Sequence, residues 1–254
     1  MATGWEVSEL ECLKSWEPEK QIVSFSNALN NAAMCLTLME KRVIFYCMAR
    51  INSIKDKRQN KNEFKIFVRD FAAFFKMNVD TAYRDLRKVT IGIMKKQIEF
   101  SELDRNGKPI IVRVQWLGSC RYHEGEGWIK LSFHNDTASH LTYLRDRFTS
   151  YHLEQASALR SLYSWRLLEK LMQFENNGKG WWTVDIEDFC RMMEATEKQK
   201  ENFGQIRLRI IEPAIKELIE KDGWLIEYIP IKAGRKVISL RFDFKRNPQL
   251  ALEF

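Results

Sequence analysis

A repeat constrains this chain more than any other feature. "IFVRDFAAFF" at 66–75 and "VDIEDFCRMM" at 184–193 align at Val68 with Ile186, Asp70 with Asp188, Phe71 with Phe189, Phe74 with Met192 and Phe75 with Met193. A duplicated unit means that a chain of 254 residues divides into two small domains of about 100–125 residues, each with its own core.

The flanks repeat in the same order. In the first half, "LTLMEKRVIFYCMARI" places Met39, Val43, Tyr46, Cys47 and Ile51 on one helical stripe, with Thr37 and Glu40 spaced as a capping box. A short helix, "FVRDFAAFFKM", leads to a longer one whose buried edge is Ala82, Leu86, Val89 and Ile93, capped by Asn78. From Gln97 to Phe133 the period falls to two: Ile110, Val112, Val114 and Trp116 alternate with Arg113 and Gln115. Asn106-Gly107 predicts a tight turn with positive φ at both central positions, and "EGEG" predicts a second turn.

The second half predicts one long helix from Tyr151 to Glu175, with Leu159, Leu162, Tyr163, Leu167, Leu171 and Phe174 on its buried side and the Asn177-Gly178 turn at its end. The repeated short helix follows, then "NFGQIRLRIIEPAIKELIEK". The last segment is a hairpin in which Ile238, Leu240, Phe242 and Phe244 alternate with Ser239, Arg241 and Asp243. A short helix, a turn, a longer helix and a β-hairpin make the winged-helix form of helix-turn-helix, whose longer helix enters the major groove. The expected fold is α+β, two tandem winged-helix domains: an acidic extension over 1–20, a first domain over 21–145 and a second over 146–254. From topology alone, two α+β domains with no nucleic-acid role are the alternative.

Forty-one basic residues against thirty-four acidic give a net charge of +7 and a pI near 9.1, which favours a polyanionic partner. The first twenty residues run the other way, at −3, so the remainder carries +10. Five scattered cysteines without a Cys-x-x-Cys pair argue against a disulfide framework or zinc site. His134 and His140 stand on opposed helix faces, and no cofactor is expected. With no bilayer-length apolar run and no signal pattern, a soluble, cytoplasmic protein without membrane contact is expected.

Opposite the buried edge of the first long helix stand Thr81, Arg84, Arg87 and Lys88, all able to bond phosphates or base edges; Asp80 and Asp85 also suit an ordinary solvated face. Of the two hairpin turns, the one carrying Arg105 and Lys108 is basic and the other is acidic, so the basic tip is the one expected to approach DNA. The second unit brings Lys198, Lys200 and Asn202 before its helix and Lys232, Arg235 and Lys236 to its hairpin tip. On a helical projection Gln205, Arg209 and Lys216 share one edge, while Phe203, Ile210, Ala214 and Leu218 share the other. Arg207 falls nearer the apolar side. Pro213 lacks an N–H and crowds the Arg209 carbonyl, which predicts a kink there, required either by packing or by groove binding.

With "IVSFSNALNNAAMCLTLMEKRVIFYCMARI", "RFTSYHLEQASALRSLYSWRLLEKLMQF" and above all "IRLRIIEPAIKELIEKDGWLIEYIPIKAGRKVISLRFDF", the chain resembles the iteron-binding initiators of plasmid replication over about Ile22 to Phe244. The resemblance implies two recognition helices on successive major-groove segments of a directly repeated site. It implies monomers on the repeats that promote melting of AT-rich DNA, and a homodimer, joined largely through the first domain, that represses its own gene at an inverted operator. Host replication initiator, helicase and chaperones are the further partners it implies. Carried onto matching positions, it points to Lys200, Asn202, Arg207 and Arg209 in the second domain and Arg84, Arg87 and Lys88 in the first.

Two rivals remain at this point. A nicking enzyme needs a His-apolar-His metal motif with a tyrosine nucleophile, and the sequence has no such histidine pair; a nucleotide-driven melting enzyme needs a G-x-x-x-x-G-K-[ST] loop, which "NNGKGWW" and "KAGRKV" do not supply. A winged-helix transcription regulator with no role in initiation would use the same helices and charges.

Overall fold

The computed structural model describes residues 22–32, 34–53, 62–123, 126–142 and 148–248. The chain opens with β1 (Ile22–Ser26), a short α1 (Asn27–Asn31) and α2 (Leu38–Ser53). The capping box at the start of α2 is formed: the Glu40 carboxylate accepts the Thr37 N–H at 2.7 Å, and the Glu40 N–H reaches Thr37 Oγ1 at 3.4 Å. Every residue from Val43 to Ala49 is buried, so α2 is covered all round rather than along one stripe. Met39 is half-buried, and the Ile51 side chain lies outside the described residues.

Next come β2 (Glu63–Phe67), α3 (Val68–Phe74), α4 (Val79–Ile93), β3 (Gln97–Leu103), β4 (Pro109–Gln115), β5 (Leu117–His123), β6 (Trp128–Phe133) and α5 (Asn135–Thr142). Ala82, Leu86 and Ile93 form the buried edge of α4 as expected, with Thr90 fully buried and Val89 half-buried. β2, β6 and β5 form one antiparallel sheet, whereas among the described residues β3 and β4 pair only with each other. The β3–β4 turn is also longer than expected. The Asp104 N–H donates to the Lys108 carbonyl at 2.8 Å, the Asp104 carboxylate accepts the Asn106 and Lys108 N–H groups, and only Gly107 has positive φ (76°). A side-chain acceptor inside the loop stabilises the wider turn.

The second half comprises β7 (Phe148–His152), α6 (Leu153–Ser157), α7 (Leu162–Glu175), β8 (Trp181–Asp185), α8 (Ile186–Met192), α9 (Glu197–Lys200), α10 (Phe203–Ile206), a π-helical turn (Arg207–Ile211), α11 (Glu212–Asp222), β9 (Trp224–Ala233) and β10 (Lys236–Arg246). β8, β10 and β9 form its antiparallel sheet. The single long helix expected before β8 is two helices. The Glu217 carboxylate accepts the N–H groups of Arg160 (2.8 Å) and Ser161 (3.1 Å), and Ser161 Oγ caps Tyr163 and Ser164. These partners satisfy a fresh helix start where the periodicity suggested continuation.

The repeat is one of backbone geometry. Lys76 and Glu194, 118 residues apart, both take left-handed φ (51° and 53°) after the short helix. Met77 N–H bonds the Ala72 carbonyl at 2.8 Å, and Ala195 N–H bonds the Cys190 carbonyl at 2.9 Å. Asn78 then caps the Thr81 N–H (3.2 Å), as Thr196 caps Gln199 (3.3 Å). Non-glycine residues pay for positive φ, so finding it at the same offset twice marks a turn the unit requires.

The two halves are joined by pairing and by charge. β7, which follows the boundary expected at 145/146, is antiparallel to β1 from Ile22↔His152 to Ser26↔Phe148. The intervening Arg145 and Arg147 lie outside the described residues. α7 is buried on all sides from Ser164 to Met172, charged residues included. Lys41 of α2 donates to Glu169 of α7 at 2.7 Å with both side chains buried, and the Tyr151 hydroxyl reaches the other Glu169 oxygen at 3.2 Å. Lys170 donates to the Asn30 carbonyl (2.8 Å) and to Asn31 Oδ1 (2.6 Å). Burial pushes the Lys41 ammonium down to about 8 despite Glu169, and pushes Lys170 well below the usual lysine range.

Candidate nucleic-acid interface

In the first domain α4 is the longer helix after the turn. Arg84, Arg87 and Lys88 are exposed on it, Thr81 is half-buried, and Arg84 lies 3.7 Å from Asp85. The hairpin in the winged-helix position is β5–β6, because it shares a sheet with β2. Its turn includes Glu126, with Glu124 outside the described residues. This corrects the expected geometry: Arg105 and Lys108 are exposed, but at the tip of the separate β3–β4 ribbon and not on the wing. Tyr83 is the functional candidate that sequence reasoning missed. Its ring lies so close over Gly127 that a Cβ there would collide with it, and Gly127 has a φ of 66°. The Gly127 carbonyl also accepts the Val68 N–H at 3.0 Å. The wing turn is thereby held to the start of both helices.

In the second domain the repeat offset matches α9 to the beginning of α4. Thr196 and Gln199 form a capping box, and Gln199 also shares a hydrogen bond with the Tyr163 hydroxyl at 3.1 Å, tying this turn to α7. Lys198 and Lys200 are exposed. Lys200 pairs with Glu197 at 2.9 Å, which raises its pKa. The helix breaks at Glu201 and restarts under Asn202, whose side chain accepts the Gln205 N–H at 3.0 Å. Asn202 therefore has a capping role in addition to any contact with a ligand, and Gln205 is half-buried.

At the expected kink, just before Pro213, the structure has a π turn. The Glu212 N–H bonds the Arg207 carbonyl, five residues back, and Pro213 occupies the first turn of α11, where its missing N–H is tolerated. The turn inserts one extra residue and rotates the upstream segment by roughly 100°, one residue's share of a 3.6-residue turn. Ala214 and Leu218 are core positions of α11, and an uninterrupted helix in phase with them would turn Arg207 inward. With the π turn, Ile206, Ile210 and Ile211 are buried, and Arg207, Leu208 and Arg209 are all exposed. Arg207 lies 3.5 Å from Glu212 across the turn. Lys216 is exposed downstream.

The second wing is the β9–β10 hairpin. β8 pairs with β10 only from Ser239 to Asp243, so both strands run on past it as a two-stranded ribbon. A bulge between Val237 and Ser239 follows the tip, where Lys232, Arg235 and Lys236 are exposed and the turn is Gly234-Arg235. Among the described residues, no group of histidine, cysteine or acidic side chains could hold a metal ion, and no helix is long and apolar enough to cross a membrane.

Two helix-turn-helix units with basic helices, each followed by a hairpin, define a tandem winged-helix protein. Its family follows from comparison. Residues 22–172 match the model of the initiator replication protein WH1 domain and residues 185–244 that of the initiator Rep protein WH2 domain; the chain belongs to this initiator family. It is 26% identical over 234 residues to an uncharacterized 27.6 kDa protein of Escherichia coli, covering 89% of this chain and 95% of that one. It is 23% identical over 259 residues to the PI protein of Escherichia coli, covering 89% and 83%. The fold matches the crystal structure of Pi initiator protein in complex with iteron DNA with a TM-score of 0.75 at 22% identity, over 91% of this chain and 99% of that one.

Proposed function

We propose that the protein initiates plasmid replication by binding directly repeated duplex DNA at the origin, with α4 and the α10–π segment in successive major-groove segments. The observation that carries this reading is the second unit, where an irregular turn keeps two arginines outward beside a wing bearing three cations. Family membership and the fold shared with a protein solved on iteron DNA support it. The protein has no nuclease or nucleotide-hydrolysing step of its own. Opening of DNA draws on binding energy, of the order of the roughly 1–6 kcal/mol needed to bend a 20–30 base-pair site.

The monomer occupies direct repeats, which lack two-fold symmetry, and a homodimer represses the protein's own gene at an inverted operator, which has it. Among the described residues β4 pairs with no strand but β3 and exposes Ile110 and Ile111, features that suit association through the first domain.

Footprinting and light scattering of purified protein on the DNA flanking its gene test the proposal. One monomer per repeat on tandem repeats of about two helical turns is expected, with a dimer on an inverted site. Protection of a lone palindrome alone would assign the protein to transcriptional control. Cleavage of supercoiled origin DNA by nuclease-free protein would make it an enzyme.

A further inference from the structure

The second reading segment holds one side chain that its charges leave unexplained. Leu208 stands between Arg207 and Arg209 and is 52% exposed. A lone surface leucine needs no special account in general, but this one is put there by a specific departure from the α-helix. In a helix running unbroken from α11, Leu208 would lie one turn from Ile211 and two from Ile215, on the flank of the apolar face. The π turn gives the core positions to Ile206 and Ile210 and carries Leu208 onto the arc of the two arginines.

The neighbours divide the work. Arg207 is drawn along the helix toward Glu212, while no side-chain partner is found for Arg209 among the described residues. The exposed row therefore offers a guanidinium next to a branched apolar group. In the major groove guanine presents the acceptors N7 and O6, and thymine presents a C5-methyl that binds apolar side chains. An aliphatic side chain gains nothing from a phosphate, so the ligand chemistry suited to this position is a base methyl.

Building on the proposed function, we infer that Leu208 is a specificity-determining residue that packs against the C5-methyl of a thymine beside the base that Arg209 contacts. It adds discrimination that the basic residues alone do not supply, since a methyl distinguishes thymine from cytosine at a pyrimidine position.

The test uses the full-length chain and duplexes it selects from a random 30-base-pair library. Each thymine of the selected site is replaced in turn by deoxyuridine, which removes the methyl and leaves base pairing unchanged. Wild-type protein is expected to lose about three- to fivefold in affinity at one or two adjacent thymines, the effect of one methyl contact. Leu208→Ala should bind thymine and deoxyuridine equally there and keep wild-type responses elsewhere. Leu208→Met should retain discrimination, and both variants should keep the wild-type melting temperature because the side chain is exposed. A Leu208→Ala protein that keeps every methyl response, or a wild type insensitive at all thymines, overturns the inference while leaving the proposed function standing. A chain that selects no sequence overturns both.

Discussion

Arg209 is the side chain on which the proposed base readout rests most directly. It is exposed on the outward arc of the second reading segment and suited to bidentate contact with guanine. Arg209→Ala is expected to cost about 1–3 kcal/mol on the selected site and to relax preference at one position, measured by competition binding; equal loss on selected and random DNA would remove it from base readout. Its outward direction was legible from an ordinary helical projection. That of Arg207 was not, because the projection assumes 3.6 residues per turn and the π turn violates that locally. Leu208 was invisible for a related reason: an apolar residue within an apolar-periodic segment is assigned to the core by pattern alone. Tyr83 escaped because its partner is a glycine, which carries no pattern to read.

At the level of elements, most helix and strand identities followed the hydrophobic period, although Ile110 and Ile238 on its apolar phase are exposed, and two of the departures came from partners distant in sequence. Glu217 ends what would have been one long helix, and the pairing of β2 with β6 places the first wing at β5–β6. Neither tertiary partner leaves a mark in local periodicity. Pro213 gives this scale its prediction. Pro213→Ala restores an N–H and removes a ring that disfavours regular α-helix, so the segment can relax from π to α and rotate its reading residues. Selected-site affinity is expected to fall at least tenfold, with a lower melting temperature, because a regular helix carries Arg207 inward in place of Ile206. Unchanged affinity would show that the π turn does not depend on proline. The second wing acts differently. Removing Lys232, Arg235 and Lys236 together should weaken selected and random DNA alike and reduce the salt slope by up to about 3, measured by titrating affinity against salt; a loss confined to the selected site would make the wing a base reader.

Across the whole molecule, the domains meet through charges that are costly to bury and costlier to leave alone. Glu169→Ala strands the Lys41 ammonium and removes the acceptor of the Tyr151 hydroxyl, which keeps its bond from Trp165 Nε1, and it is expected to destabilise the protein by about 3–5 kcal/mol in denaturant unfolding. Lys41→Met with Glu169→Leu should cost much less; equal costs would show that the pair's charges are not what matters. Glu194 connects this interface to the second helix-turn-helix. It sits in the left-handed turn of the second helix-turn-helix, yet its carboxylate accepts the N–H groups of Met34 (2.8 Å) and Cys35 (3.0 Å) and bonds Arg166. The corresponding residue in the first unit, Lys76, has none of these contacts among the described residues. The turn of the second helix-turn-helix is thus fastened to the first domain, and on the proposed function this contact helps hold the two DNA-reading segments at one gap, like the jaws of a caliper. Inserting about five base pairs, half a turn of the duplex, between the two contacted segments carries the second to the far side of the DNA. A molecule held in that way is expected to measure length and helical phase as well as letters, so on the proposed function the spaced site should bind more weakly than the unspaced one although every contacted base is kept, as competition binding checks.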